Sequence, residues 1–201
     1  MRVKAVLAVG LLVVLVALAV VLLDSKTRQA GSNYVPEVAP TATLGRVDQH
    51  CEFEQVVPQD AASLKLLLGT FGRPSPPLTV SITGAGGLIS SGRLDGGHPD
   101  GEVTVPIRVL PKLRSNARVC IKADGVSAER RVLLYGNGSQ VRLEWVRPGN
   151  ESWFELSPTV AHRFGLGKPF VSGGWVLLAT ALLLAAAWAL ALRLVIRELR
   201  T

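Results

Sequence analysis

Two long apolar runs constrain this chain more than any other feature. Ala5 to Leu23 is an unbroken run of 19 residues, and Trp175 to Leu192 is a run of 18 interrupted only by Thr180. A helix that crosses a bilayer needs roughly 20 such residues. Both runs therefore predict transmembrane α-helices, over 5–23 and 175–196, with 1–4 and 197–201 as short cytoplasmic ends. Between them, 24–47 reads as a linker, 48–146 as a folded domain, and 147–174 as a juxtamembrane segment. A composition of 48% apolar and 18% charged residues fits that division. It is too oily for one ordinary soluble domain and too charged for membrane helix throughout. A domain of about 100 residues has one modest core, which excludes a multidomain enzyme.

The net charge of +7 suggests a nucleic-acid binder until it is partitioned. Arg2, Lys4, Arg193, Arg197 and Arg200 against Glu198 place +4 on the tips, while 48–146 has eleven basic and ten acidic residues. A nearly neutral domain offers no basic patch for nucleic acid, so no nucleic-acid partner is expected. Basic residues stay on the cytoplasmic side of an inserted helix. The expected location is the cell membrane, with both termini cytoplasmic and the main domain extracytoplasmic. The first run is longer than the core of a typical signal peptide, and no small-residue cleavage site follows it directly. We read it as a retained signal anchor; cleavage near Ala30 is the alternative and leaves a single-span protein.

Trp175 falls where an outer-interface aromatic belongs, and Arg193 and Arg197 can reach the inner headgroups. Ala181, Ala185 and Ala189 recur every four residues and share one helix face. Small residues there allow close helix packing in lipid, and the ordinary abundance of Ala in membrane helices explains the spacing equally well.

Between the runs the period changes to two. Leu64, Leu66 and Leu68; Leu78, Val80 and Ile82; Val103, Val105 and Ile107; Val141, Leu143 and Trp145 all alternate with polar residues. Such alternation puts one strand face in a core and the other in water. With Glu52 to Val57, Leu88 to Arg93, Ala117 to Lys122 and Arg131 to Leu134, about eight strands are expected, separated by Gly, Pro and Asp clusters. Short strands at this spacing predict an all-β ectodomain, an antiparallel β-sandwich, rather than a parallel α/β fold.

Cys51 and Cys120 are the only cysteines. Outside the cytoplasm a disulfide between them is permitted, and in the chain-entropy model it is worth about 4 kcal/mol. Parity raises an objection. Cys51 alternates with Phe53, an inward candidate, whereas Cys120 alternates with Arg118 and Lys122, so the bridge needs a bulge or an edge. Two buried thiols are the alternative.

Beyond the domain, Ser157-Pro158 offers a helix N-cap followed by Pro at the first position. A short amphipathic helix is expected there, with Trp153 and Phe154 either anchoring it at the membrane interface or completing the sandwich core.

No chemistry emerges from the motifs. His50, His98 and His162 lack metal-ligand spacing, and no phosphate-cradling Gly loop or glycine-flanked nucleophile is present. Asp95, His98, Asp100 and Glu102 are the best candidates for Ca²⁺, though a solvated turn fits them better. Glu52 and Glu54 share a strand parity and read as a solvated face. Arg108, Lys112, Arg114, Arg118 and Lys122 suit an anionic lipid or polymer, or an ordinary wet surface. No catalytic, cofactor-binding or metal residue is expected. Asn137-Gly138-Ser139 and Asn150-Glu151-Ser152 match the glycosylation acceptor pattern, but the Ala, Val, Leu and Arg bias points to a bacterial gene.

Cys51-Glu52-Phe53, Ser63 to Leu68, Gly69-Thr70-Phe71-Gly72-Arg73-Pro74, Pro106-Ile107 and Ser115 to Val119 together resemble galactose-binding-like jelly-roll domains of bacterial membrane proteins in surface-polysaccharide synthesis. Cys51 stands where that pattern has Gln, Phe71 where it has Tyr, and Pro74 where Asn is common. Arg147-Pro148-Gly149-Asn150-Glu151-Ser152-Trp153 is similar to a segment of double-spanning actinobacterial envelope proteins. The resemblance implies a jelly-roll-like sandwich, with no sugar-contacting residue carried over. The expected role is non-catalytic and accessory. Its partners would be the lipid bilayer and a polytopic membrane protein, either a glycosyltransferase or an exporter, with a glycan as a further ligand. An autonomous glycan-binding module is the alternative. An enzyme is a distant third, because no convergent titratable set is visible.

Overall fold

The computed structural model describes residues 2–45, 49–126, 131–164 and 173–198. In chain order the elements are α1 (Arg2–Leu23), β1 (Gln29–Ser32), β2 (Ala39–Leu44), β3 (Gln49–Val57), β4 (Ser63–Gly69), β5 (Leu78–Gly84), β6 (Gly87–Leu94), β7 (Gly101–Pro106), β8 (Arg114–Ala123), β9 (Val132–Asn137), β10 (Gln140–Val141), β11 (Glu144–Val146), α2 (Trp153–Phe164) and α3 (Gly173–Glu198). They fall into two units: an all-β unit, Lys26–Asn150, and a helical unit made of Met1–Ser25 and Glu151–Thr201.

The β unit is the expected antiparallel sandwich. One sheet has four strands in the order β3-β8-β5-β6. The other has seven, with β4 at its centre. β4 pairs with β7 along one edge and with β11 and then β9 along the other. β1 continues the sheet beyond β11, and β2 continues it beyond β9. The alternating residues do what their period requires. Leu64, Leu66, Leu68, Val103, Val105, Leu134 and Trp145 from one sheet meet Leu78, Val80, Ile82, Val119 and Ile121 from the other in a single buried cluster. Each such side chain contributes about 1.5–3 kcal/mol by leaving water.

Two details depart from the sequence reading. The segment expected as a linker, 24–47, contains β1 and β2. Their only fully buried side chains are Ala30 and Leu44, so they show no alternation of large apolar residues. Edge strands need only backbone pairing, and their sequences reflect that. The last expected strand is also split, with Arg142 and Leu143 between β10 and β11.

Side chains from elsewhere repair that interruption. Asn33 Nδ2 donates to the Val141 carbonyl at 2.7 Å, and Asn33 Oδ1 accepts from Leu143 N at 3.0 Å. One amide thus stands in for a missing strand peptide. Glu52, in the opposite sheet, accepts the Val141 N–H at 2.6 Å and lies 2.9 Å from His50 Nε2. The sheets also meet at Gly92, which bridges to Ile107. A Cβ there would lie 1.8 Å from the Pro106 carbonyl oxygen, so only glycine fits.

The helical unit corrects the predicted fold class. Among the described residues, no helix is long and apolar enough to cross a membrane. Two transmembrane helices are therefore withdrawn from the architecture, and the β-sandwich stands.

The start of α2 is a second correction. It begins five residues before Pro158, which lies inside the helix. Ser152 is the cap: its hydroxyl accepts from Glu155 N at 3.2 Å, and Glu155 Oε2 accepts Ser152 N–H at 2.7 Å. This is the reciprocal capping box that Ser-x-x-Glu encodes. Pro158 has no N–H for the Phe154 carbonyl, and the Ser157 hydroxyl donates to that carbonyl instead, at 2.7 Å.

Candidate functional site

Cys51 and Cys120 form a disulfide. They are directly opposed across β3 and β8, with Cα atoms 4.0 Å apart. The parity objection dissolves because Phe53 also points outward, 61% exposed. Cys51, Phe53, Arg118 and Cys120 thus share the outer face of the four-stranded sheet, with the Arg118 guanidinium 4.9 Å from the Phe53 ring centre. Glu52 has the opposite parity and is buried, contrary to the solvated face expected of it, whereas Glu54 is exposed. The cause is a bulge. The β3–β8 register shifts between Glu52 and Gln55, and Glu54 adopts φ 55°.

The acidic stretch expected as the best cation candidate is dispersed. Asp100, in the β6–β7 connection, accepts hydrogen bonds from the β4–β5 turn, Glu102 pairs with Lys65 at 2.8 Å, and the His98 N–H donates to Ser75 Oγ. No group of three His, Cys, Asp or Glu side chains is arranged to hold a metal among the described residues.

Asp100 does different work. Its carboxylate accepts the N–H groups of Thr70 and Gly72, the latter at 2.7 Å, and lies 3.0 Å from the Thr70 hydroxyl. Phe71 and Gly72 between them take φ values of 58° and 73°. Consecutive left-handed residues turn their N–H groups to one side, which suits an anion. Those donors, Thr70 N–H foremost and Gly72 N–H next, hold the Asp100 carboxyl below its ordinary value. The turn projects Phe71 into solvent, 54% exposed, and the Arg131 guanidinium stacks 4.6 Å from its ring centre.

Beside that turn a cleft of about 510 Å³ opens between the β4–β5 loop and the residues flanking the β8–β9 connection. Thr70, Arg73, Ser75, three prolines, Asp124, Gly125 and Arg131 line it. Asp124 is already engaged by Lys122 at 3.7 Å and Arg93 at 3.9 Å. A second, more open cleft of about 810 Å³ runs past Lys65, Thr104 and Glu144 on the outer face of the large sheet. Its lining charges are Arg28, Lys65, Glu144 and Arg147; Lys65 pairs with Glu102, Glu144 with Arg142, and Arg147 with Asp60. Glu102 raises the Lys65 ammonium above its ordinary value by hydrogen bonding.

In the helical unit, Trp153 and Phe154 are 45% and 66% exposed, which removes them from the sandwich core. Trp153 lies beside Val16, Val20 and Leu23 of α1. Ala181, Ala185 and Ala189 are exposed on α3, as are Arg193 and Arg197. The Trp175 side chain lies outside the described residues.

Sequence reasoning missed the cleft because its residues come from two connections distant in the chain, the β4–β5 loop and the ends of the β8–β9 connection. Gly69 to Pro74 carried the resemblance and Arg131 opened an expected strand, but nothing marked the two as neighbours. No family model, curated protein or solved structure matches this chain.

Proposed function

We propose that the chain is a non-catalytic envelope protein whose sandwich works outside the cytoplasm, attached at a membrane surface and accessory to polysaccharide-handling membrane machinery. The observation that carries this reading is the disulfide between Cys51 and Cys120. Such bonds persist in oxidising compartments and are rare in a reducing cytosol. The helical unit adds support. Leu12, Val14 and Leu183 are 61%, 62% and 72% exposed, and apolar surface on this scale calls for an apolar covering.

Acid-quenched alkylation of intact cells tests the compartment: both cysteines are expected to resist modification until reduced. Purification from the native host in mild detergent tests the role. Recovery with a polytopic glycosyltransferase or exporter supports it, and recovery alone counts against it.

A second reading, an autonomous glycan-binding module, is favoured by the cleft beside Phe71. Sugar sites combine an aromatic or apolar wall with a few oriented polar groups, and Phe71, Pro74, Thr70, Arg73 and Arg131 supply both. Binding of the full-length chain to a glycan array discriminates the two readings.

A further inference from the structure

We propose that the tip formed by the β7–β8 connection, 107–113, and the start of β8 docks the sandwich onto an anionic lipid surface. Arg108, Lys112 and Arg114 meet the headgroups, and Val109 and Leu113 enter between them. The proposal rests on the reading that the chain is attached at a membrane surface, and it names the lipid chemistry and the residues that meet it. Five cations lie close together in this stretch of sequence, and the fold divides them. Arg118 stacks on Phe53 and reaches Cys51 Sγ, and Lys122 pairs with Asp124. Arg108, Lys112 and Arg114 are exposed at the other end of β8, where Arg114 lies opposite Val57. Among the described residues these three form no ion pair, with Glu54 or with any other carboxylate. Asp60, the acid of the neighbouring β3–β4 loop, is engaged by Arg147 at 3.5 Å.

The cations are interleaved with apolar side chains. Val109 and Leu113 are 48% and 58% exposed, and Val56, next to the Val57–Arg114 pair, is 55% exposed. A lipid interface satisfies both kinds at once, phosphates for the cations and the acyl boundary for the apolar groups. A soluble polyanion would use the cations and leave Val109 and Leu113 in water. The tip is also held in shape beforehand. Leu110 is buried in the core; its N–H donates to the Ala61 carbonyl at 3.1 Å, and its carbonyl accepts the Asp60 N–H at 2.9 Å. The Ile107 N–H donates to the Ala62 carbonyl, and the Arg108 carbonyl accepts the Ser90 hydroxyl at 2.7 Å. Little ordering entropy is left to lose on docking. The same β3–β4 loop holds the ends of the β unit. The Ala62 N–H donates to the Val146 carbonyl, the Arg147 N–H to the Arg28 carbonyl, and the Thr27 hydroxyl to Asn150 Oδ1. The chain thus enters and leaves the sandwich at the end that carries the patch.

The test is amide exchange of the full-length chain in bilayer discs of phosphatidylcholine alone and of an equal mixture with phosphatidylglycerol. Exchange across 108–113 is expected to slow in the anionic discs only, and to recover in molar salt, where the Debye length is about 3 Å. Arg108→Gln, Lys112→Gln and Arg114→Gln together should weaken docking about a hundredfold, about fivefold for each cation, and restore fast exchange. Val109→Ser with Leu113→Ser should weaken it about tenfold or more. Lys122→Gln, at the far end of β8, should leave the slowing intact, and unchanged exchange in β4 shows that each variant is folded. Equal exchange in the two kinds of disc, or slowing that survives loss of the three cations, overturns the proposal and leaves membrane attachment standing. Equal slowing when dextran sulfate, a soluble polyanion, is added to phosphatidylcholine discs overturns lipid as the partner. Failure to co-elute with either kind of disc removes the attachment reading and the proposal with it.

Discussion

The sandwich and the helical unit use the same residue types in opposite ways. Leu64, Leu66 and Leu68 in β4 are at most 2% exposed, while Leu11, Leu15 and Leu18 in α1 are 52–55% exposed. The difference lies in the period. A two-residue alternation gives a strand one apolar face, and two such sheets close on each other. A continuous run gives a helix that is apolar all round, with no polar side to turn outward. Apolar content alone therefore does not say whether a segment makes a core; its spacing does.

The comparison can be broken or sharpened by substitution. The largest effect is expected from Cys51→Ala combined with Cys120→Ala, which should lower sandwich stability by about 4 kcal/mol. Denaturant unfolding followed through the fluorescence of buried Trp145 measures it, and the intact wild-type mass should be two protons below the reduced mass. Next is Leu66→Ala, expected to cost about 3 kcal/mol, against Leu15→Ala, expected to leave the same transition unmoved. Equal losses would erase the distinction between the units. Ser152→Ala should cost α2 about 1 kcal/mol through its capping box, read as faster amide exchange in α2 with none in β4.

The smallest effect is pH-dependent. Because Asp100 is held below its ordinary value, its contribution is present above the unfolded pKa and is lost as pH falls through the lower folded one. Denaturation midpoints measured from about pH 5 downward should fall less steeply in Asp100→Asn. Lys65 has the opposite sign: its value is raised, so its contribution is lost only as pH climbs through the alkaline range.

The sandwich was legible because its strongest strands carry strict alternation. Parity misled at one place: it was read straight through Glu54, whose left-handed backbone reverses which neighbours face inward. That slip made Phe53 a core residue, Glu52 a wet one and the disulfide awkward. β1 and β2 went unread because edge pairing leaves almost no side-chain trace. The start of α2 was readable as Ser152-x-x-Glu155, but Pro158 gave the louder signal. The cleft was not readable at all, since Arg73 and Arg131 come to line it only when β4 pairs with β9.

The pairing of β1 with β11 joins the first strand to the last: Gln29 lies opposite Val146 and Ser32 opposite Glu144. A chain made and delivered from its N-terminus cannot form this contact until nearly the whole domain has emerged. Until then β1 has no partner, and the gap that Asn33 fills does not yet exist. The sandwich should therefore close in one late step, governed by long-range contacts and slow for its size. A nascent chain stalled just short of Gln140 would be left with a large sheet lacking its final strands, open to proteases and chaperones.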